Sequence, residues 1–330
     1  MKKILVLTIL LVTLVTGCFA LVACNTETSG DFVVGVIQLA PHVALQQAND
    51  AFCTKLEELL AADGKKVSFI NENAQGEDSN SVSIINTFIG KRVDLIYSIA
   101  TASSQTAVNM AAEYEIPVIF NAVTDPVDAG LVKSLTAPTG GNVTGVSDIN
   151  PIAQQVELMQ ELMGGGTDFK VGVLYVSKET NSVVQKDAVK AACDAKGIAF
   201  TSFGIAEVAD IGNGLNALKK DGADIVYLPT DNVLAESAAA VHAQNKLGSN
   251  LPIVCGEGGM AEACGVATLS VSYTKLGELA AQMAYDILTG NKKASEISVA
   301  SQTEDFDYVV NEKVAEEIGF TIPQSVLDKA

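Results

Sequence analysis

Short apolar segments alternate with amphipathic segments along most of the chain. Residues 32–37 form an apolar run without polar alternation, which is typical of a parallel strand buried on both faces. Apolar residues then recur at helical spacing over residues 44–60, and Asp63 and Gly64 end this helix. The alternation continues through predicted strands at 66–71, 95–99 and 117–120 and predicted helices at 79–89 and 103–114. Strand, helix and strand at this spacing predict βαβ units on a parallel sheet.

The second half of the chain repeats this plan. Its predicted elements are strands at 170–175, 198–203, 224–227 and 251–254 and a helix at 183–196 that Gly197 ends. Residues 224–227 have the sequence DIVY where residues 94–97 have DLIY. This duplication predicts an α/β protein of two doubly wound, parallel-sheet lobes joined by a hinge. Ligands of such sheets bind beyond the carboxyl ends of the strands, so we expect one cleft between the lobes.

The N-terminus has a different pattern. Lys2 and Lys3 precede an apolar run over residues 4–17, which predicts a secretory signal peptide. The sequence LVAC then ends at Cys24 and is followed by polar residues, as in a bacterial lipobox. We expect residues 1–23 to be a signal peptide, Cys24 to be lipidated and residues 24–31 to be a tether that holds the protein on the outer face of the cell membrane. Lipidation at Cys18 and an uncleaved anchor helix are the alternatives.

Composition and charge narrow the class of protein. Apolar residues make up 48% of the chain and charged residues 18%, as expected of a globular domain with a large core. The formal net charge is −18, which disfavours a nucleic-acid partner because phosphate binding needs a basic patch. The chain after the signal segment is long enough for two domains of ordinary size.

Few residues of the types used in metal or covalent chemistry follow the signal segment. His42 and His242 are the two histidines, and they belong to no Cys/His cluster, so we expect neither a metal nor a cofactor. The sequence has no GxSxG elbow, phosphate-binding loop or GxGxxG after its first strand, so we do not expect an enzyme. Cys53, Cys193, Cys255 and Cys264 lack CxxC spacing and are interpreted as buried thiols, with a Cys255–Cys264 disulfide as the alternative.

Small polar residues follow the predicted strands of both halves, where the cleft is expected. Thr101, Ser103 and Thr124 offer hydroxyls, and the first turn of the helix predicted to start at Ser103 offers free amides, for a ligand carboxylate. Asp231 or Glu257 would bind an ammonium group, and Asp231 is favoured because it follows the central strand of the second half. Each of these residues could instead cap a helix or close a turn.

The same segments resemble the tryptophan/tyrosine-type substrate-binding proteins of ABC transporters, which have the type I periplasmic-binding fold. The resemblance rests on residues 35–39 with His42, 99–101, 124–126, 172–175 with Asn181 and Ser182, 229–232 and 257–260. It covers nearly all of the chain after the signal segment. With it, the candidate ligand-binding residues are Gln38, His42, Thr101, Ser103, Thr124, Asp125, Asn181, Ser182, Thr230, Asp231 and Glu257.

The resemblance implies a monomeric, extracytoplasmic protein that binds an amino acid, often an aromatic one, and delivers it to an ABC permease and its ATPase. A ligand-sensing module and a binder of a sugar or nucleoside are the alternatives on the same fold. It also implies three crossings between the lobes. We therefore expect residues 32–148 and 273–299 in the first lobe and residues 149–272 and 300–330 in the second.

Overall fold

The computed structural model describes residues 30–329. The predicted signal peptide, the predicted lipidation at Cys24 and nearly all of the predicted tether lie outside the described residues. None of the helices in the described part combines the length and apolar character that a membrane span requires.

The first part of the chain forms alternating strands and helices, as predicted. In chain order these are β1 (Phe32–Gln38), α1 (Val43–Ala62), β2 (Val67–Asn73), α2 (Asp78–Lys91), β3 (Leu95–Ile99), α3 (Thr101–Ala111), β4 (Val118–Asn121) and β5 (Val143–Ser147). Every residue of β3 is buried, as expected of a strand inside a parallel sheet. The predicted helix at 103–114 corresponds to α3 and the 3₁₀ turn Ala112–Tyr114.

A second set of elements repeats this order. It comprises α4 (Ile152–Leu162), β6 (Lys170–Val176), α5 (Thr180–Lys196), β7 (Ala199–Ile205), α6 (Ile211–Lys220), β8 (Ile225–Leu228), α7 (Asn232–Glu236), α8 (Ala238–Leu247), β9 (Ile253–Cys255), α9 (Gly258–Cys264) and β10 (Ala267–Ser270). The chain ends with α10 (Tyr273–Leu288), β11 (Ala300–Ser301), β12 (Asp307–Val310), α11 (Glu312–Ile318) and α12 (Gln324–Leu327).

The strands form two six-stranded sheets with equivalent order. The first runs β11-β5-β4-β3-β1-β2 and the second runs β12-β10-β9-β8-β6-β7. All pairs in the first sheet are parallel, whereas β12 pairs antiparallel with β10 in the second. The equivalent orders confirm the duplication and the two doubly wound lobes predicted from the sequence.

The chain passes between the sheets after β5, after β10 and after β11. The strand β11 pairs with β5, with Ala300 opposite Val146, so it belongs to the first lobe. This pairing differs from the sequence prediction, which began the last second-lobe segment at residue 300. The last second-lobe segment therefore begins after Ser301. The other predicted lobe boundaries remain our proposal.

The first lobe is held together by close packing of α1 against β3 and α10. In α1, Ala48, Phe52, Leu56 and Leu60 recur at helical spacing and are all buried. The ring of Phe52 stacks on that of Tyr97 in β3 with 3.7 Å between ring centroids. In α10, Gly277 lets the two helix backbones meet, because a Cβ atom there would clash with the carbonyl oxygen of Ala48.

Candidate functional site

The two lobes touch each other along loops that follow their strands. The His42 Nε2 atom, just after β1, lies 3.4 Å from Asn232 Oδ1, just after β8. In the middle of the contact, Gln185 Nε2 of α5 donates to Thr124 Oγ1, which follows β4, over 3.3 Å. Gln185 Nε2 also lies 2.5 Å from Thr230 Oγ1, so one amide contacts hydroxyls of both lobes. The cleft is therefore closed in this structure.

Two adjoining cavities lie between the lobes. The outer cavity has a volume of about 320 Å³ and is lined by residues that include Thr101, Ala102 and Gln105 of the first lobe and Lys178 and Asn181 of the second. The inner cavity has a volume of about 10 Å³, about what one water molecule needs. Asn181 and Asn232 line both cavities, so they separate an outer chamber from an inner one.

The inner cavity is lined by two carboxyl groups. Asp148 accepts hydrogen bonds from Thr124 Oγ1 at 3.1 Å and from Tyr273 Oη at 2.7 Å. Glu257 accepts from the backbone N–H groups of Gly259 at 2.6 Å and Met260 at 2.7 Å, because it is the N-cap of α9. Burial raises the pKa of Asp148 above its ordinary value and raises the pKa of Glu257 to about 7.

Within residues 30–329, no Lys or Arg lines the inner cavity beside these carboxyl groups. Of the described residues that line the inner cavity, His42 alone has an ionisable nitrogen. Loss of hydration on burial lowers the pKa of His42 to about 4, against a smaller opposing effect of its contact with Asn232. The imidazole is therefore neutral near pH 7. Its Nδ1 atom is buried and has no hydrogen-bond partner among the described residues. The inner cavity is thus suited to a group that brings its own positive charge.

The start of α3 offers hydrogen-bond donors for an anion, in contrast to the carboxyl groups of the inner cavity. Ala100, at the N-cap position, has φ 84° and ψ 161° and provides no side-chain cap. Such backbone angles are nearly restricted to glycine and cost about 1–3 kcal/mol in other residues. The first-turn N–H groups of a helix without a side-chain cap are open to an anionic partner. Thr101 and Ala102 of that turn line the outer cavity. This end of the cleft is therefore suited to a carboxylate.

Comparison with known proteins shows which family has this arrangement. Residues 33–330 match the model of the family described as "ABC transporter substrate binding protein". The chain belongs to this family. Substrate-binding proteins of ABC importers are extracytoplasmic, and they work with a permease and an ATPase. The type I periplasmic-binding fold predicted from the resemblance is confirmed.

This substrate-binding protein is similar to several characterised ones. It is 34% identical over 324 residues to a tyrosine-binding protein of Clostridioides difficile (strain R20291), which covers 94% of this chain and 90% of the relative. It is 32% identical to a crystallised ABC domain in complex with L-Trp from Streptococcus pneumonia, with a TM-score of 0.80 and coverage of 90% of this chain and 98% of that one. The ligand-free, open structure of a substrate-binding protein with adhesive properties from Clostridium difficile is 33% identical. Its TM-score is 0.68, and the match covers 88% of this chain and 96% of that one. The lower score against the open structure agrees with the closed cleft.

Asp231 of the substrate-binding protein does not lie where the sequence predicted it. Its carboxylate is fully buried and accepts hydrogen bonds from Val176 N at 2.8 Å, Ser182 Oγ at 2.7 Å and Leu234 N at 3.0 Å. Burial, with a further effect of Glu179, raises the pKa of Asp231 to about 7. Neither Asp231 nor Ser182 is among the described residues that line the two cavities. Asp231 therefore joins β6, α5 and α7 within the second lobe rather than facing a ligand.

Three further predicted residues form hydrogen bonds within their own loops. Ser103 Oγ donates to the carbonyl oxygen of Ile99 at 2.6 Å, and Gln38 Nε2 donates to that of Ala40 at 2.7 Å. Asp125 Oδ1 accepts from the backbone N–H groups that follow it and so closes a turn. Asp125 therefore has a turn function, whereas Ser103 does not cap the helix, because its hydroxyl donates to a carbonyl and Ala100 is at the N-cap position.

The remaining predicted residues meet in the cleft. His42, Thr124, Asn181, Thr230 and Glu257 line the inner cavity, and Asn181 also lines the outer one together with Thr101. Asn181 Nδ2 donates to the carbonyl oxygen of Thr230 at 2.7 Å, which fixes this amide between the chambers.

Sequence reasoning missed Asp148, Tyr273, Gln185 and Asn232 as cleft residues. Asp148 and Tyr273 fell at predicted lobe crossings, and that position was the signal that could have marked them, because crossings border the cleft. Asn232 stood beside the predicted Asp231. Gln185 gave no signal, since one polar residue on a helix is ordinary. In the structure it is buried between Thr230 and Thr124.

Proposed function

We propose that this substrate-binding protein captures an aromatic α-amino acid between its lobes and delivers it to an ABC permease with its ATPase. One observation carries this proposal. The inner cavity has carboxyl groups without a cationic partner among the described residues, and the outer cavity borders the start of α3, which has no side-chain cap. An α-amino acid has the complementary ammonium and carboxylate bonded to the same carbon atom. The printed names of the relatives, one binding tyrosine and one complexed with L-Trp, support an aromatic side chain.

We assign the ammonium group to Asp148 rather than to the predicted Asp231. The Asp148 oxygens accept from two side-chain hydroxyls, those of Thr124 and Tyr273, and keep lone pairs for a further donor. The residue is only 3% exposed, so a charge-assisted hydrogen bond formed there is little screened by water. Glu257 adds negative charge to the same cavity.

The ligand carboxylate is assigned to the first turn of α3, as expected from the sequence. The hydroxyl of Thr101 and the backbone N–H groups of that turn supply the donors. Ser103 contributes indirectly, because its hydroxyl bonds to the loop that leads into the helix. The aromatic side chain would occupy the outer chamber, where Leu39, Ala40 and Val233 provide apolar surface.

The closed form should need its ligand. Closure removes water from Asp148 and Glu257, and this costs free energy while no cation replaces the water. A ligand ammonium lowers that cost and therefore binds the closed form better than the open one. Differential affinity of this kind is what makes a ligand drive closure.

We further propose that the ligand is released unchanged and that the mature protein is a monomer lipidated at Cys24. The ring of His42 contacts the amide of Asn232, and Ser103 donates to backbone carbonyls, so in the closed cleft neither forms part of a nucleophile and base pair. Lipidation is supported by the LVAC sequence alone.

Isothermal titration calorimetry and thermal shift with L-Tyr, L-Trp and L-Phe test the proposal. Matched probes are tyramine, which lacks the carboxylate, 3-(4-hydroxyphenyl)propionate, which lacks the ammonium, and myo-inositol. We expect the amino acids to stabilise the protein by about 2.7 kcal/mol at a hundred times their Kd, and the three other compounds to have little effect. A response to myo-inositol alone, or an equal response to 3-(4-hydroxyphenyl)propionate, would reject an amino-acid ligand.

A further inference from the structure

Cys255 and Cys264 lie at the two ends of the segment that carries Glu257. Cys255 is the last residue of β9 and Cys264 is the last residue of α9. Their Sγ atoms are 4.0 Å apart, and both residues are fully buried. We propose that these two cysteines form a disulfide bond in the exported protein, which ties the end of α9 to the end of β9.

The surroundings allow this bond. A separation of 4.0 Å is that of two sulfur atoms in contact, so no other group lies between them. A disulfide needs about 2 Å between the sulfurs, so the two free thiols must approach each other by about 2 Å, and rotation about the Cα–Cβ bonds is the movement that the bond requires. Gly265, which follows Cys264, gives the Cys255 sulfur its space, because a Cβ atom at that position would lie 2.7 Å from it.

The other two cysteines of the described residues provide a contrast. Cys53 lies in α1 of the first lobe and donates to Asn49 Oδ1, and Cys193 lies in α5. Each stands on a helix away from the Cys255 and Cys264 pair. They therefore serve as internal controls for non-specific oxidation.

The reaction is a thiol–disulfide exchange. A small disulfide such as oxidised glutathione, or a thiol–disulfide oxidoreductase, accepts two electrons and leaves as two thiols. Both S–H bonds of the protein and the S–S bond of the oxidant are broken, the two protons end on the two leaving thiols, and one S–S bond forms in the protein. Substrate-binding proteins of ABC importers work outside the cytoplasm, where such oxidants are available.

The bond should form while the second lobe is still folding. Burial raises the pKa of the Cys255 thiol well above its ordinary value, so the folded lobe holds few of the thiolates that react. Once the lobe has packed, the same burial protects the bond from reductants. The cross-link then restrains the Glu257 loop and restricts the unfolded chain.

Peptide mapping tests the proposal directly. The full chain is refolded either with oxidised and reduced glutathione or with dithiothreitol, then denatured, alkylated and digested. Trypsin leaves both cysteines on residues 247–275, because no Lys or Arg lies between Lys246 and Lys275. After oxidative refolding we expect this peptide to be unalkylated and lighter by two hydrogens. Cleavage after Glu257 and Glu262 should then leave the Cys255 and Cys264 fragments joined. Residues 191–196, which carry Cys193, should be alkylated under both conditions.

Thermal denaturation gives a second measurement. The oxidised protein should melt roughly 5 °C higher than the reduced one, because the cross-link restricts the unfolded chain. In Cys255→Ser and Cys264→Ser this difference should vanish. Full alkylation of both cysteines after oxidative refolding of the wild type would overturn the proposal, whatever the variants do. Neither measurement uses a ligand, so this inference and the amino-acid proposal can fail independently.

Discussion

The hydroxyl of Tyr273 donates a hydrogen bond to Asp148 Oδ2 over 2.7 Å and so joins the first residue of α10 to the residue that follows β5. Both residues stand where the chain passes from one lobe to the other. Thr124 donates to the second oxygen of Asp148 at 3.1 Å. Two hydroxyls therefore orient one carboxyl group at the base of the cleft.

We expect Asp148→Asn to weaken binding of the amino acid about 10- to 100-fold. The amide keeps the shape and one acceptor but removes the charge, and a hydrogen bond to a charged group contributes about 1.5–3 kcal/mol. Tyr273→Phe is the matched control, because it removes one orienting hydroxyl and leaves the carboxylate, so its loss should be smaller. Calorimetric titration measures both. Wild-type affinity in Asp148→Asn would show that the ammonium is bound elsewhere.

The buried Glu257 should make the closed protein less stable as the pH rises. Its pKa is raised by burial to about 7 from 4.5, so between these values the folded state binds more protons than the unfolded state. The stability that this protonation provides is complete below pH 4.5 and is lost as the pH rises through 7. Relative to Glu257→Gln, the wild type should lose roughly 2 kcal/mol over this window. Urea denaturation at the two ends of the window checks this. A difference that does not change with pH would refute the assignment.

Two glycines in helices should respond oppositely to alanine. Gly277→Ala should lower Tm by roughly 5 °C, because the new methyl group meets the Ala48 carbonyl oxygen and overpacking costs about 1–3 kcal/mol. Gly90 in α2 has nothing within 4 Å of its Cβ position, so Gly90→Ala should raise Tm by about 2 °C. Thermal denaturation of both variants decides the matter. Equal shifts of the same sign would mean that α1 and α10 are not in this close contact.

The strained backbone at Ala100 should be relieved by glycine. Ala100→Gly should raise Tm by about 3 °C, because glycine adopts φ 84° without steric penalty and this gain exceeds its entropy cost. Ala102→Gly, two residues later in α3, is the control and should lower Tm by a similar amount, since glycine disfavours a helix. Thermal denaturation compares them. If both variants lose stability alike, Ala100 is not strained.

The sequence was sufficient to predict the repeated strands and helices, because their apolar spacing is a local property. It predicted β3 at its observed bounds and β1 and β6 to within one residue at one end. The short strands β5 and β10 were not predicted, since their sequences VTGVS and ATLS mix polar and apolar residues. Tertiary contacts, rather than a periodic pattern, make strands of such segments.

The candidate site was predictable in its location but less so in its individual roles. Asp231 and Asp148 both follow strands, yet the first finds three donors in its own lobe and the second faces the cleft. Which donors a carboxylate meets depends on residues far away in the chain, such as Tyr273 for Asp148. The residues next to Asp148 or Asp231 in the sequence therefore do not reveal which donors each carboxylate will meet.

Because the chain passes between the sheets three times, the first lobe is built from segments on both sides of the second. A ribosome or a secretion channel supplies the chain from its N-terminal end. The apolar face of α1 that α10 covers must therefore stay bare until almost the whole polypeptide has emerged. Neither half can fold completely alone. A chain truncated before α10 would be an aggregation-prone fragment with exposed apolar surface rather than one functional lobe.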